Sequence, residues 1–256
     1  MTFAVSGDAY DRYMGRYSRL LAPRLVHFAC VEPGTRALDV GCGPGALTEE
    51  LARRVGAGSV LAADPSESLA AACAERVPGA DVRVARAESL PWPDDSVDTA
   101  LAQLVVNFLE DPPAGVREMR RVVGPGGIVA ACTWDYSAGM SMLRTFWDAA
   151  LALDPEAPDE GRTMRYGDPD DLAGLWRETG LEEVETAQLE VEAEYADFDD
   201  FWEPFLSGAA PGGAYCASLP HQRQAALRDE CRKRLGDPDG PFSLAARAWA
   251  VRGHVS

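Results

Sequence analysis

ALDVGCGPGALTEEL, residues Ala37 to Leu51, decides how the rest of the chain is read. Ala37 to Val40 is a short apolar run of strand type, Gly41, Gly43 and Gly45 crowd a tight turn, and a helix opens near Ala46. Glycine is needed where the backbone must turn sharply and come close to a ligand, because a Cβ would stand in the way. A turn of this kind delivers its ligand to a helix N-terminus, whose unpaired N–H groups and positive dipole end favour anionic or electron-rich groups. Such a loop suits a nucleotide-like cofactor.

Two cofactor classes compete for it. Gly41, Gly43 and Ala46 satisfy the dinucleotide pattern G-x-G-x-x-G/A, and Asp64 lies close to the distance expected for a ribose-binding carboxylate. Asp39 separates the two classes. It puts a carboxylate where a pyrophosphate would approach, a costly pairing of like charges, whereas a cofactor with a cationic amine and a sulfonium would be stabilised there. The stretch resembles the first motif of the class I S-adenosylmethionine (SAM)-dependent methyltransferases, which runs Leu/Val-Asp-Val/Leu-Gly-x-Gly-x-Gly. Here that is Leu38-Asp39-Val40-Gly41-Cys42-Gly43-Pro44-Gly45, an almost complete match. The resemblance implies SAM as cofactor, S-adenosylhomocysteine (SAH) as product, and Asp39, Gly41, Gly43 and Gly45 among the binding residues.

The chain downstream keeps the order of that family. Ser59 to Ala63 reads as a second buried strand ending at Asp64, whose carboxylate can accept from vicinal ribose hydroxyls. Pro65 and Ser66 open the next helix, so Asp64 could instead be a capping carboxylate. Asp81 to Arg86 alternates as a third strand, and the ARAESLPWP that closes it and follows resembles the family's second cofactor segment, G-D-A-E-x-L-P-F. Ala87 and Glu88 match, and the resemblance implies an adenine contact through the Ala87 N–H and the Glu88 carboxylate. Arg86 stands where the family often carries Asp, and an Arg cannot accept a hydrogen bond. Val97 to Val106 reads as a fourth strand, and Gln103 matches the position whose carbonyl meets the methionine ammonium in the resembling family. A helix over Pro112 to Val123, the turn Gly124-Pro125-Gly126-Gly127 and a fifth strand, IVAACTW, complete the ordered core.

Tyr10 to Val31 is broadly helical with an expected break at Pro23. Tyr10, Tyr13 and Tyr17 share a face, either as an aromatic stripe packed on the domain or as a lid over the cofactor. On the second reading the resemblance implies Tyr17 and Arg19 as binding residues. His27 reads as a packing or surface residue. Beyond Trp134 come helical pieces around MSMLRTFWDAALAL and DPDDLAGLWRETGL, an alternating strand VETAQLEVEAEY, more helix over Phe198 to Gly236, and a last strand FSLAARAWAV. The expected fold is α/β: a Rossmann-like, doubly wound, mainly parallel seven-stranded sheet with helices on both faces, helical insertions after strands 5 and 6, and, from the resemblance, an antiparallel final strand. One domain is expected over 1–256, with a lid at 1–31, a cofactor core at 34–134, acceptor-side insertions and strand 6 at 135–236, and the final strand at 241–253.

Composition agrees with a soluble globular protein. Of 256 residues, 46% are hydrophobic and 25% charged, enough for a sizeable core. A net charge of −17 repels phosphate backbones and anionic membranes, which argues against nucleic acid and membrane partners, although an acidic total also serves solubility alone. Six cysteines show no C-x-x-C pair and no histidine at zinc spacing, so no metal site is expected. The first residues, MTFAVSGDAYDRYM, lack the basic and apolar regions of a secretory leader, and a cytoplasmic location is expected.

Methyl transfer from a sulfonium is an in-line displacement, which needs alignment and exclusion of water more than a fixed catalytic residue. The resemblance implies an acceptor pocket built from Tyr10 to Tyr17, Asn107 to Asp111, Asp135 to Tyr166 and Phe198 to Ala217. With the adjoining Trp134 these segments are rich in aromatics and methionine, among them Tyr136, Phe146, Trp147, Trp202, Phe205 and Tyr215. That composition suits an apolar or aromatic small molecule, but a helical insertion packing on the sheet predicts it equally. Asp135, Tyr136 and His221 are candidate bases, none with a partner visible in sequence, so no catalytic residue is assigned. Three alternatives stay open: a nicotinamide or flavin oxidoreductase, a protein of this fold that binds SAM or SAH without transferring methyl, and a particular enzyme of the family. The quinone C-methyltransferase group is the nearest resemblance over Leu38 to Trp134. The cysteine grouping gives no reason to choose arsenite methylation.

Overall fold

β1 (Ala37–Val40) is buried along its whole length, which only a strand covered on both faces can be. It pairs in parallel with β2 (Val60–Asp64) on one side and β4 (Val97–Gln103) on the other. β3 (Asp81–Val84) extends the sheet beyond β2, and β5 (Val123–Trp134) lies beside β4, again in parallel. The computed structural model describes residues 11–208 and 210–256, and Tyr10 of the aromatic stripe lies outside them.

β7 (Phe242–His254) inserts antiparallel between β5 and β6 (Glu182–Tyr195), giving the seven-stranded order β3-β2-β1-β4-β5-β7-β6. The doubly wound α/β sheet and its antiparallel last strand are as expected from sequence. Some boundaries move: β5 begins five residues earlier than IVAACTW, and β4 stops at Gln103 rather than Val106.

α1 (Arg16–Phe28) buries Tyr17, Leu21 and Leu25 at four-residue spacing, a single face turned to the core. The break expected at Pro23 does not occur. Pro23 sits on the exposed side of α1, so the carbonyl it leaves without an amide partner lies toward water and the helix runs on. His27 is exposed, in keeping with a surface residue. A π-helical turn, Asp11–Gly15, precedes α1.

α2 (Ala46–Val55) and α3 (Glu67–Arg76) cross over between β1, β2 and β3, and α4 (Pro112–Val122) connects β4 to β5. α5 (Ser141–Leu153) and α6 (Pro169–Glu178) follow β5; α7 (Phe198–Leu206), α8 (Ala210–Ser218) and α9 (His221–Arg234) follow β6. The insertions pack through one aromatic cluster: Phe146 of α5 stacks on Phe205 of α7 at 4.2 Å, and Tyr13 meets Phe205 edge-on at 5.5 Å. Phe146, Trp147, Trp202 and Tyr215 belong to this packing, so the structural reading of the aromatic composition holds for them. Their joint effect is to roof the carboxyl end of the sheet beside β5.

Candidate active site

The carboxyl ends of β1, β2, β4 and β5 open on one cavity of about 690 Å³, lined by Gly41, Asp64, Gln103 and Trp134 at or just past those strand ends. Strand order reverses between β1 and β4, the place where an open parallel sheet leaves a crevice.

The glycine turn gives this cavity a wall of bare backbone. Gly41 has φ +74°, and a Cβ built on it would lie 2.4 Å from Val105 Cγ2. Gly43 has φ +51° and lines the cavity, and no atom lies within 4 Å of the place its Cβ would take. A ligand can therefore come close to the main chain there. Gly45 does not line the cavity: it starts α2, and its Cβ would meet Cys73 Sγ at 3.2 Å, so it serves the packing of α2 on α3.

Asp64 is held from both sides. Its Oδ2 accepts from the Gly43 N–H at 2.9 Å and its Oδ1 from the Ser66 N–H at 2.8 Å. Burial raises its carboxyl pKa against the pull of these two bonds. Each carboxylate oxygen keeps a lone pair for a further donor, as a pair of vicinal hydroxyls would require. The capping of α3 falls to Ser66, whose Oγ accepts from the Leu69 N–H at 3.5 Å. Pro65 lines the cavity beside Asp64.

Asp39 lies behind the turn, 1% exposed, and is not itself part of the cavity lining. Thr48 Oγ1 donates to its Oδ2 at 2.6 Å, while Oδ1 is buried with no partner among the described residues. Burial pushes its pKa up to about 7; the Thr48 hydroxyl opposes this and the nearby Asp64 adds to it. A cation at the turn would offset the cost of ionising this group, whereas a pyrophosphate would increase it. The orphaned oxygen and the open cradle at Gly43 both fit SAM, which carries an ammonium and a sulfonium.

Arg86, Ala87 and Glu88 line the cavity after β3. Glu88 Oε1 accepts from the N–H groups of Glu110 at 3.1 Å and Asp111 at 3.4 Å, so that oxygen holds the loop before α4. The Arg86 guanidinium lies 2.8 Å from Glu110 and 3.5 Å from Glu88, at the surface. Arg86 thus joins two loops at the rim instead of supplying the acceptor that an Asp would. Gln103 lines the cavity, and its Nε2 donates to the Ser18 carbonyl at 3.0 Å, tying α1 to the end of β4.

The two residues expected to bind the cofactor from the N-terminal segment, Tyr17 and Arg19, are placed away from the cavity. Tyr17 is fully buried, with its hydroxyl 2.9 Å from that of Tyr195, and Arg19 is exposed, its Nε donating to the Gly15 carbonyl at 3.3 Å. Neither lines the cavity. The N-terminal segment reaches it through Tyr13 and Met14 instead. Of the candidate bases only Tyr136 lines it. Asp135 is consumed by Arg247 at 2.5 Å and by the Ser137 hydroxyl at 2.7 Å, and His221 is exposed at the start of α9. Glu160, missed in the sequence because it sits in an acidic loop beside Asp159, lines the cavity and is 6% exposed. No cluster that could hold a metal ion is present among the described residues.

Residues 38–131 match a family described as a methyltransferase domain. Over 99% of its length the chain is 28% identical to a malonyl-acyl-carrier-protein O-methyltransferase of Halorhodospira halophila, of which it covers 85%. Of three further curated relatives it spans 32%, 55% and 65% of their length. Among solved structures, a protein of Anaeromyxobacter dehalogenans assigned as a type II methyltransferase aligns with a TM-score of 0.62 and 25% identity, covering 93% of this chain and 96% of that one. The cyclase SpnF aligns with a TM-score of 0.57 and 21% identity over 92% and 81% of the two chains, a likeness of fold alone.

Proposed function

We propose that this chain, similar over residues 38–131 to the methyltransferase domain family, is a class I SAM-dependent methyltransferase with SAM as methyl donor and SAH as product, and that it methylates a small molecule with an apolar or aromatic body. The observation that carries this reading is the continuity of the cavity. The same space that touches Gly41, Gly43 and Asp64 runs on to Phe108, Trp134 and Leu143 beneath the roof formed by the insertions. Apolar walls with a few placed polar groups are the usual make-up of small-molecule sites.

SAM supplies an activated methyl group and a leaving group that departs as a neutral thioether. In the proposed arrangement Asp64 accepts from the ribose hydroxyls and the Gly41–Gly43 backbone allows close approach. Asp39 offers negative charge to the methionine ammonium, Gln103 lies beside it, and Ala87 and Glu88 border the adenine. Tyr13 and Met14 close the cavity from the N-terminal side and keep water from the reacting atoms. The chain's remaining contribution is alignment of the acceptor, which is worth several kcal/mol, ~7 to 11 in the best intramolecular cases.

The carrier-protein substrate named for the Halorhodospira relative is that protein's own, and the small-molecule reading rests here on the cavity. No helix among the described residues is long and apolar enough to cross a membrane. The test is transfer of labelled methyl from SAM to a panel of aryl small molecules, with SAH formation measured in parallel. Transfer to at least one member supports the proposal. SAM binding without SAH formation across the panel selects the non-transferring reading of the fold.

A further inference from the structure

Glu160 is a buried carboxylate facing the apolar end of the cavity with only part of its bonding capacity used. Trp147 Nε1 donates to its Oε1 at 2.9 Å, and no described residue donates to Oε2. The neighbouring guanidinium, Arg144, is engaged by Asp159 at 2.9 Å and by Asp148, and forms no ion pair with Glu160 among the described residues. A buried, unpaired carboxylate is expensive unless a ligand completes it. Two phenols line the same cavity, and one of them, Tyr13, lies close enough to Glu160 and to Tyr136 to interact electrostatically with both. Tyr13 is 2% exposed and lines the cavity, and its hydroxyl has no partner among the described residues. Tyr136 also lines the cavity, and its hydroxyl oxygen accepts from Asn107 Nδ2 at 3.3 Å.

We infer that Glu160, Tyr13 and Tyr136 form the recognition site for an amine on the methyl acceptor, with Glu160 the group that takes its proton. This inference rests on the methyltransferase reading of the same cavity. A protonated primary amine carries three N–H donors and a positive charge. The site presents a carboxylate and two phenol oxygens, in a cavity that Phe108 and Trp134 also line. A carboxylate acceptor would face Glu160 with like charge, and an alcohol would leave that charge uncompensated. Burial raises the pKa of Glu160 and, with the charge of Glu160, that of Tyr13, so a bound cation relieves both.

The step balances without a further reagent. An ammonium proton moves to the Glu160 carboxylate, and the freed nitrogen lone pair forms the N–C bond to the methyl carbon. The C–S bond breaks with its electron pair going to sulfur, and the Glu160 proton leaves to solvent. The nitrogen ends as a methylated ammonium.

The experiment is calorimetric titration of the SAH-saturated protein with matched probes, benzylamine against benzyl alcohol and 2-phenylethylamine against 2-phenylethanol. Each amine is expected to bind at least tenfold more tightly than its alcohol. Glu160→Gln should reduce that ratio to below about threefold while leaving SAH affinity within threefold of wild type, and Tyr13→Phe should lower amine affinity alone. Equal binding of amines and alcohols by the wild-type protein, absence of amine binding, or retention of the preference in Glu160→Gln overturns the inference. The wild-type comparison stands even if a variant fails to fold. Failure of SAH itself to bind would overturn the methyltransferase reading of the cavity, so the two failures are distinguishable.

Discussion

The Gly43 N–H donates to Asp64 Oδ2 at 2.9 Å, so the glycine turn after β1 and the carboxylate ending β2 are one rigid unit. Each fixes the other: the turn aims the carboxylate and the carboxylate holds the turn. Asp64→Ala removes both the proposed ribose acceptor and this tie. SAM affinity should fall by more than ~1.4 kcal/mol, a factor of ten. Titration calorimetry on the variant reads this directly, and unchanged affinity would remove Asp64 from the site.

Asp39 makes the site sensitive to pH. Its pKa rises from 3.8 in the unfolded chain to about 7 in the folded one. Between those values the folded protein holds a proton that the unfolded chain has released, so Asp39 makes ligand-free stability fall as pH rises from about 4 to 7. A cationic cofactor favours the ionised carboxylate, so SAM affinity should climb as pH rises from 6 to 8. Asp64 is also raised, and Asp39→Asn isolates the Asp39 share. In that variant the climb should flatten, as followed by calorimetry across the pH range.

Gly41 cannot be replaced cheaply. A Cβ at φ +74° would be strained and would lie 2.4 Å from Val105 Cγ2. Gly41→Ala should cost about 2–4 kcal/mol, from left-handed backbone strain and overpacking together. Adding Val105→Ala removes the clash but not the strain, so part of that loss should return beyond additivity in a double-mutant cycle followed by denaturant unfolding.

Much of this was legible in the sequence, for identifiable reasons. β1, the turn and α2 are specified locally, by an apolar run and by glycines at positions of positive φ. Asp64 could be placed because strand ends in a parallel sheet converge on the crevice. Other features depend on contacts distant in sequence. α1 continues through Pro23 because that residue happens to face water, which spacing alone does not show. Tyr13 and Tyr17 are one turn apart, yet the π-helical turn Asp11–Gly15 interrupts the regular phase, leaving Tyr13 at the cavity and Tyr17 against Tyr195. Asp159 and Glu160 are adjacent acids in one loop; only the fold sends the first to Arg144 and the second into the cavity.

Arg86 departs from the family pattern without closing the site. Its side chain is 52% exposed and pairs with Glu110 at 2.8 Å, a surface contact that solvent screening leaves with little effect on stability. Arg86→Ala should leave SAM affinity within threefold and thermal stability nearly unchanged. A tenfold loss of affinity in the same titration would instead make the guanidinium a direct partner of the cofactor.

The central claim is that this cavity takes SAM, and side-by-side calorimetric titration of the purified protein with SAM, SAH and NADH tests it most directly. Micromolar binding of SAM and SAH with no heat from NADH is the expected result. Binding of NADH alone would contradict it, and would show that Asp39 does not discriminate between the two cofactor classes.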